Sequence, residues 1–421
     1  MGEEIVAATP LLEPAGGTPE IVDTQESFEK VLHELAKGTG PFAVDAERAS
    51  GYRYSARAYL IQIKRNGGGL HLIDPLVLTE SDCKNLNEIL NRDEVILHAS
   101  TQDLPCLREL GIYPKRLFDT ELGARIAGFP RVGLAPLLET LMGVSLAKEH
   151  SAVDWSTRPL PRDWLTYAAL DVELLIELRQ VIATSLKEQG KLEWAMEDFQ
   201  SILDAPPPPA RIDPWRRTSG MHKVKKREQL AIVRELWNCR ATIAQSEDIA
   251  QGRLITDAAI VELALAAPTT KKAFEKALRP IGLRPRWSER ATIWIEAIEK
   301  ALSLSPTELP ELRSKGDGLP PAKLWKEKFP DKYAPYTHAR FAITELSKEL
   351  SVPVENIISP ELVRKLCWKK PELSQVESSL LEWGARPWQV SLVKEPLSRA
   401  LLEREPLVIE VAEEGEELRN S

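Results

Sequence analysis

The sequence Phe42-Ala43-Val44-Asp45-Ala46-Glu47-Arg48 runs from three apolar residues directly into two carboxylates, Asp45 and Glu47. The apolar part predicts a buried strand. Because side chains alternate along a strand, the two carboxylates point the same way at its C-terminal end. Such neighbours repel and raise each other's pKa, and Mg²⁺ or Mn²⁺, which prefer oxygen ligands, would remove that repulsion. The alternative is a strand that ends in two solvated acids.

The composition is that of a globular protein, with 43% hydrophobic and 28% charged residues. A chain of 421 residues predicts two to four domains. No apolar run approaches the ~20 residues that a membrane span needs. The cysteines are far apart and suit buried thiols in a reducing cytoplasm better than a zinc site or disulfides: Cys83, Cys106, Cys239 and Cys367.

The net charge of −8 argues against a uniformly basic nucleic-acid binder, but the charge is unevenly distributed. Residues 403–421 hold seven acids against two arginines, whereas residues 211–227 hold seven basic residues against one aspartate. The basic stretch also contains Trp215, so it is a candidate clamp for a nucleic-acid backbone. Its alternative is a solvated linker. The candidate contacts in it are Arg216, Arg217, Lys223 and Lys225.

Strand and helix patterns alternate through the first half of the chain. They predict an α/β fold in which a mixed sheet, opened by an antiparallel meander, is covered by helices. The predicted strands are residues 42–44, 58–63, 70–73 and 94–98. The predicted helices are residues 27–35, 80–90, 102–110 and 162–186.

Two further carboxylates occupy positions that could complete a site. Asp103 lies in the first turn of a helix that follows a strand, where the helix dipole favours an ionised carboxylate. The alternative is that Ser100 or Asp103 merely caps that helix. Tyr167 and Asp171 are spaced i, i+4 and share one helix face, so they form either part of a site or a purely structural pair.

Together these residues predict one catalytic centre. Four acids at one rim of a sheet could hold two divalent ions about 4 Å apart, the arrangement used for in-line phosphoryl displacement. In this arrangement Tyr167 would orient the attacking water. The predicted catalytic residues are Asp45, Glu47, Asp103, Tyr167 and Asp171, of which the four carboxylates are the predicted metal ligands.

The pattern resembles the DEDDy branch of the 3′→5′ exonucleases. The matching motifs are Asp45-Ala46-Glu47, His98-Ala99-Ser100-Thr101-Gln102-Asp103 and Tyr167-Ala168-Ala169-Leu170-Asp171. Residues 60–63, 118–120 and 154–160 are similar to ribonuclease D, although Val153 stands where that family usually has serine. The resemblance covers about residues 21–204.

This resemblance implies a ribonuclease H-like fold and a division of labour among the acids. One ion is held by Asp45, Glu47 and Asp171, and the second by Asp45 and, largely through water, Asp103. The residues implied in binding the RNA 3′ end are Gln62, His98, Trp155 and Arg158.

The second half of the chain predicts helical domains. Residues 229–303 resemble the helicase-and-ribonuclease-D C-terminal (HRDC) domain, and a similar pattern recurs about 100 residues later. The predicted organisation is a disordered segment over 1–20, an exonuclease domain over 21–204, a proline-rich and basic linker over 205–228, an HRDC domain over 229–303, a linker over 304–320, a second HRDC-like domain over 321–404, and an acidic tail over 405–421.

These features predict a monomeric, cytoplasmic exoribonuclease that depends on Mg²⁺ or Mn²⁺. The expected partner is RNA with a single-stranded 3′ end, and the family resemblance implies transfer-RNA precursors trimmed to nucleoside 5′-monophosphates. One alternative is a 3′→5′ DNA exonuclease. Another is a non-catalytic RNA-binding adaptor, which usually requires the loss of an acid, whereas all four acids are present.

Overall fold

A mixed sheet forms the centre of the first domain in this computed structural model, which describes residues 8–146, 152–207, 209–312 and 318–407. The strand order is β2-β5-β4-β3-β6-β7. β3, β4 and β5 pair antiparallel as predicted, and β6 and β7 run parallel to β3. The strands are β2 (Ile21–Val22), β3 (Thr39–Arg48), β4 (Ala58–Asn66), β5 (Gly69–Ile73), β6 (Val95–Leu97) and β7 (Leu117–Asp119), and a separate pair is β1 (Thr9–Leu11) with β8 (Val144–Leu146).

Helices cover both faces of this sheet. One face packs most of the domain's apolar residues, and the other packs a smaller cluster that includes Trp155 and Leu165. Among the helices of the described residues, none is long and apolar enough to cross a membrane. The helices of the first domain are α1 (Gln25–Lys37), α2 (Glu80–Leu90), α3 (Leu104–Glu109), α4 (Thr120–Ala127), α5 (Leu134–Met142), α6 (Arg162–Glu173), α7 (Leu175–Glu188) and α8 (Leu192–Asp204).

The helix predicted over residues 162–186 is in fact two helices, α6 and α7. The break falls at Leu174, whose φ is −112°. Lys64 donates from Nζ to the backbone carbonyl of Glu173 and lies 3.1 Å from its carboxylate, so a non-local ion pair holds the chain at the break. This change of direction lets α6 cover one face of the sheet while α7 packs against α4 on the other.

The N-terminal segment departs from the predicted disorder. Residues 9–11 form β1, which pairs in parallel with β8. Further along, the Ala15 amide donates to Glu173 Oε1 at 3.0 Å, and the hydroxyls of Thr18 and Thr166 lie 2.7 Å apart. The prediction is therefore wrong for residues 8–20, because non-local hydrogen bonds hold a segment with little apolar patterning of its own. Residues 1–7 lie outside the described residues.

Two helical domains follow, and they repeat the same plan. α9 and α16 each have 21 residues, and they begin at positions 227 and 330, which are 103 apart. Each is followed by a left-handed residue, Asp248 or Ser351, and by a four-residue helix. The helices are α9 (Arg227–Glu247), α10 (Gln251–Leu254), α11 (Asp257–Ala266), α12 (Lys271–Leu278), α13 (Pro285–Glu289), α14 (Ala291–Leu302), α15 (Trp325–Lys328), α16 (Pro330–Leu350), α17 (Val354–Ile357), α18 (Pro360–Lys369), α19 (Val376–Glu382) and α20 (Pro387–Ala400).

Both helical domains pack directly against the first domain. On the first, the Asp248 carboxylate accepts a bond of 2.8 Å from the Ser55 amide, and the Ala250 amide donates to the Tyr52 carbonyl at 2.9 Å. On the second, the Trp388 ring stacks on Trp194 at 5.0 Å. The two domains therefore reach the first domain at separate places.

The segments around the helical domains are partly ordered by them. Trp215 and Val224, within the predicted linker over 205–228, are buried in the core of the first helical domain. The Glu405 carbonyl lies 3.1 Å from His338 Nε2. Most of the predicted acidic tail, residues 408–421, lies outside the described residues, as do positions 208 and 313–317.

Candidate active site

A cleft of about 410 Å³ opens above the end of β3, and all five predicted catalytic residues line it. Asp45 and Glu47 project from β3 on the face that α6 covers, and α6 brings Tyr167 and Asp171 one turn apart onto the same cleft. One oxygen from each of Asp45, Glu47 and Asp171 lies within 4.8 Å of the others. A central strand and its covering helix thus build a three-carboxylate cluster from distant parts of the chain.

The fourth carboxylate, Asp103, reaches the cleft from the loop after β6. Ala99 in this loop has a φ of +57°, and the Asp119 carboxylate holds the turn. That carboxylate accepts bonds from the Ser100 amide at 2.8 Å and the Ser100 hydroxyl at 2.6 Å, and it also caps α4. Asp103 begins α3 but makes no side-chain capping bond. Its carboxylate therefore faces the cleft, which argues against the alternative that it is only a helix cap.

Burial makes four charges in this cleft unfavourable without a cation. Burial is the main reason that the pKa of Asp103 is raised to about 8, and the charge of Asp45 adds to the effect. Burial raises the pKa of Asp45 to about 6, although a backbone bond from Ala46 and the charge of Arg48 oppose the shift. The pKa values of Glu47 and Asp171 are raised well above their usual range by burial and then by Asp45.

The donor set fits a divalent cation. Carboxylate oxygens are the ligands that Mg²⁺ and Mn²⁺ prefer, and all three residues of this cluster offer carboxylate oxygens. A cation would replace the protons that otherwise neutralise the group. The carboxylates of the cleft could therefore hold a divalent cation.

The raised pKa values lead to a prediction about stability. A carboxyl whose folded pKa exceeds its unfolded value of about 3.9 stabilises the fold at low pH, and that stability is lost as pH rises through the folded pKa. We expect Asp103→Asn to raise the melting temperature of the metal-free protein at pH 8, and the gain to shrink towards pH 5. Differential scanning calorimetry across this range, without divalent ions, measures the effect.

The matched control for this measurement is Glu29→Gln, because Glu29 is exposed in the middle of α1, away from the ends where a charge interacts with the helix dipole. It should change the melting temperature little at any pH. A gain from Asp103→Asn that is the same at pH 5 and pH 8 would contradict the electrostatic account.

The residues predicted to bind the RNA 3′ end fall into different environments. His98 lines the cleft, its Nδ1 lies 2.9 Å from Thr120 Oγ1, and burial lowers its pKa, which favours the neutral ring. Gln62 is fully buried in β4, opposite Asp45, and neither atom of its amide has a partner among the described residues.

Trp155 and Arg158 are engaged by contacts within the protein, which argue against their predicted contact with RNA. Trp155 is fully buried and packs on Trp164 at 5.6 Å, so it offers no face to a base. The Arg158 guanidinium makes a bidentate pair with Asp74, at 2.7 and 2.9 Å, and also donates to the Tyr59 carbonyl. The two guanidinium N–H groups that would bind a phosphate already donate to Asp74.

The basic stretch over residues 211–227 does not line the cleft. Arg216 Nε lies 3.0 Å from Asp213 and its guanidinium covers the buried Trp215 ring, so neither side chain is free for RNA. Lys223 is 3.3 Å from Glu262. Arg217 and Lys225 are exposed. The predicted clamp is therefore partly neutralised by local acids and lies apart from the catalytic cleft.

Arg48 is a residue of the site that the sequence reasoning missed. Its Nη2 lies 3.9 Å from Asp103, and it lines the cleft. Strict alternation would point Arg48 away from Glu47, but the pairing of β3 with β4 shifts register between these two residues. Such an irregularity re-aims side chains near active sites. The basic residue directly after Glu47 was the available signal.

The fold and the carboxylate site define the class of this protein, which is a 3′→5′ exonuclease. A family profile described as "3'-5' exonuclease" matches residues 19–187, one described as "HRDC domain" matches residues 229–285, and one described as "3' to 5' exonuclease C-terminal domain" matches residues 318–401. The three profiles cover the three packed domains in order.

Relatives identify the family. The chain is 31% identical to ribonuclease D of Zymomonas mobilis over 279 residues, which is 64% of this chain and 69% of that protein. It is 29% identical to ribonuclease D of Gluconacetobacter diazotrophicus over 317 residues, which is 72% of this chain and 77% of that protein. The chain belongs to the ribonuclease D family, and it is a 3′→5′ exoribonuclease.

Solved structures show the same architecture. A protein from Bifidobacterium adolescentis, 41% identical, superposes with a TM-score of 0.85 over 94% of this chain and 99% of its own. Ribonuclease D of Escherichia coli, 24% identical, superposes with a TM-score of 0.65 over 91% of this chain and 98% of its own, which supports the shared fold.

Proposed function

We propose that this exoribonuclease trims single-stranded RNA 3′ ends with two divalent ions held among four carboxylates. The observation that carries the proposal is the gathering of Asp45, Glu47 and Asp171 within 4.8 Å, with Asp103 buried on the same cleft. In this proposal Asp45, Glu47 and Asp171 would hold one ion, and Asp45 and Asp103 would hold the other. When bound, such ions supply a water of lowered pKa and neutralise charge at the leaving oxygen.

The remaining polar groups of the cleft suit orientation and phosphate binding. The pKa of Tyr167 is raised by burial and by the nearby acids, so its hydroxyl stays protonated and can donate to Asp171 or to the attacking water. Arg48, beside Asp103, is placed to donate to the phosphate of the terminal nucleotide. It takes the role that the sequence predicted for Arg158.

We propose structured RNAs with short 3′ extensions as substrates, with transfer-RNA precursors as the class to test first. The Escherichia coli relative is described as an exoribonuclease involved in structured RNA processing. Two helical domains packed beside the nuclease domain would provide extra surface for such an RNA.

End-labelled oligonucleotides test the activity and its direction. With Mg²⁺ or Mn²⁺, 3′-labelled RNA should release labelled mononucleotide at once, while 5′-labelled RNA should give a ladder that shortens one nucleotide at a time. Matched DNA should react more slowly. Faster loss of DNA would favour a DNA exonuclease, and binding without cleavage would favour a non-catalytic adaptor. A transfer-RNA precursor with a 3′ extension, compared with the same extension alone, tests the substrate class.

A further inference from the structure

Three neighbouring pockets, together called the groove here, lead from the catalytic cleft towards the contact between the nuclease domain and the first helical domain. The cleft shares Ala46, Glu47 and Arg48 with an adjoining pocket of about 300 Å³. That pocket ends at Gly51 and Val153, and their chain neighbours Tyr52 and Asp154 line a third pocket of about 350 Å³. The three pockets therefore follow one another along the same two segments of chain.

Arginines from both domains meet in the third pocket, at the domain seam. Arg53 comes from the nuclease domain, and Arg253 and Arg286 come from the first helical domain. Arg253 stacks on the Tyr52 ring at 3.8 Å and donates from Nε to the Gly51 carbonyl at 2.7 Å. These contacts hold the two domains together and fix the guanidinium at the groove.

Acids balance the positive charge of this cluster only in part. Within the described part of the chain, no salt bridge involves Arg53, Arg253 or Arg286. Arg286 Nε is buried and has no hydrogen-bond partner there. Arg290, by contrast, is fully engaged by Glu247 through bonds of 2.8 and 2.7 Å. The acids lining the pocket are Asp154 and Glu289, and Asp154 is bonded to the Ser156 amide and hydroxyl.

Like charges held this close repel unless an anion lies between them. Burial, then Arg284 and Arg253, lower the pKa of Arg286, which reflects that repulsion. A phosphodiester is the anion whose geometry matches guanidinium groups, and it can accept two parallel bonds from one of them.

We propose that the seam arginines, Arg53, Arg253 and Arg286, bind the backbone phosphates of the RNA strand whose 3′ end occupies the catalytic cleft. The proposal rests on the proposed function, because it assumes that the RNA strand enters the cleft 3′ end first. The groove leads from Glu47 and Arg48 to these arginines, so one strand can touch both. Contacts from the first helical domain would thereby determine how many nucleotides of single strand the enzyme binds.

Binding and turnover on RNAs of increasing length test this proposal. We choose single-stranded RNAs from a dinucleotide to about 16 nucleotides, the upper range of known single-strand site sizes. Dissociation constants are measured on the Asp45→Asn background, so that the RNA is not degraded. Arg286→Gln should weaken binding of the long RNA about fivefold to tenfold and penalise the dinucleotide much less. Each lost phosphate contact should make the slope of log K against log salt shallower by about 0.7.

Two further variants keep the test decisive. Arg53→Gln changes the arginine that the nuclease domain contributes to the same pocket, so it gives a second measurement if Arg286→Gln fails to fold. Arg279→Gln is the matched control, because Arg279 is exposed in the same domain and does not line the groove. It should leave the dissociation constants and the salt slope unchanged.

The outcomes separate this inference from the proposed function. If Arg53→Gln and Arg286→Gln bind the long RNA with the control's affinity and salt slope, the inference is overturned. An equal loss on the dinucleotide and the long RNA also overturns it, since the effect then arises in the cleft. Failure of the wild-type protein to remove nucleotides from any RNA 3′ end would instead contradict the proposed function.

Discussion

Asp45→Asn is expected to reduce RNA hydrolysis by at least about a thousandfold at saturating Mg²⁺ or Mn²⁺. Asp45 is the residue proposed to contact both ions, and it lies within 4.8 Å of the oxygens of Glu47 and Asp171. Metal ions contribute several kcal/mol to the stabilisation of such a transition state, and each 1.36 kcal/mol corresponds to a factor of ten in rate. Single-turnover cleavage of 5′-labelled RNA measures the loss.

The fold should survive this substitution, because the amide has nearly the same shape and removes charge repulsion from a crowded group. We therefore expect the melting temperature of the metal-free variant to equal or exceed that of the wild type, whereas the rise on adding metal should be reduced. Asp163→Asn, on the exposed face of α6, should retain full activity. Wild-type turnover by Asp45→Asn would refute the assignment of this residue as a shared metal ligand.

Tyr167→Phe is expected to lower kcat about 10²- to 10³-fold, a loss within the range typical of positioned proton-transfer groups. RNA binding should change little. The substitution removes one hydroxyl, which lies beside Asp171 and stays protonated because its pKa is raised. A group that acts on the attacking water contributes in the transition state, so its loss appears in kcat and not in RNA affinity.

Metal titration separates this role from an indirect one. The Tyr167 hydroxyl also lowers the pKa of Asp171, so its loss could act by weakening metal binding. In that case high metal concentrations would restore the rate. We expect the deficit to persist at saturating metal. Tyr113→Phe, a substitution of a tyrosine that is 55% exposed and outside the cleft, is the matched control and should behave as the wild type.

Much of the site could be predicted because its signals are local. The apolar run before Asp45 and the i, i+4 spacing of Tyr167 and Asp171 depend only on the periodicity of strands and helices. The structure places these side chains on one cleft. The predicted mixed sheet also follows from local patterns, since its strands are short apolar runs that alternate with helices.

Long polar side chains could not be placed in this way. In the sequence Arg158 is a loop arginine near Trp155, and a contact with RNA was predicted for it. In the structure its guanidinium pairs with Asp74, 84 residues earlier. Arg48 faces the acids because the pairing of β3 with β4 shifts register, and no local sequence pattern predicts that shift. The continuous helix predicted over residues 162–186 is interrupted where Lys64, from strand β4, bonds to Glu173.

The sequence by itself therefore determined the residue types of the catalytic centre, the elements that carry them and the repetition of the helical domains. Only the tertiary structure decided which arginines remain without acidic partners. Arg53 and Arg253 are 200 positions apart in the sequence and meet at one domain seam. The physical reason is that backbone periodicity is set by neighbouring residues, whereas the partner of a long charged side chain is set by whichever distant segment folding brings within its reach.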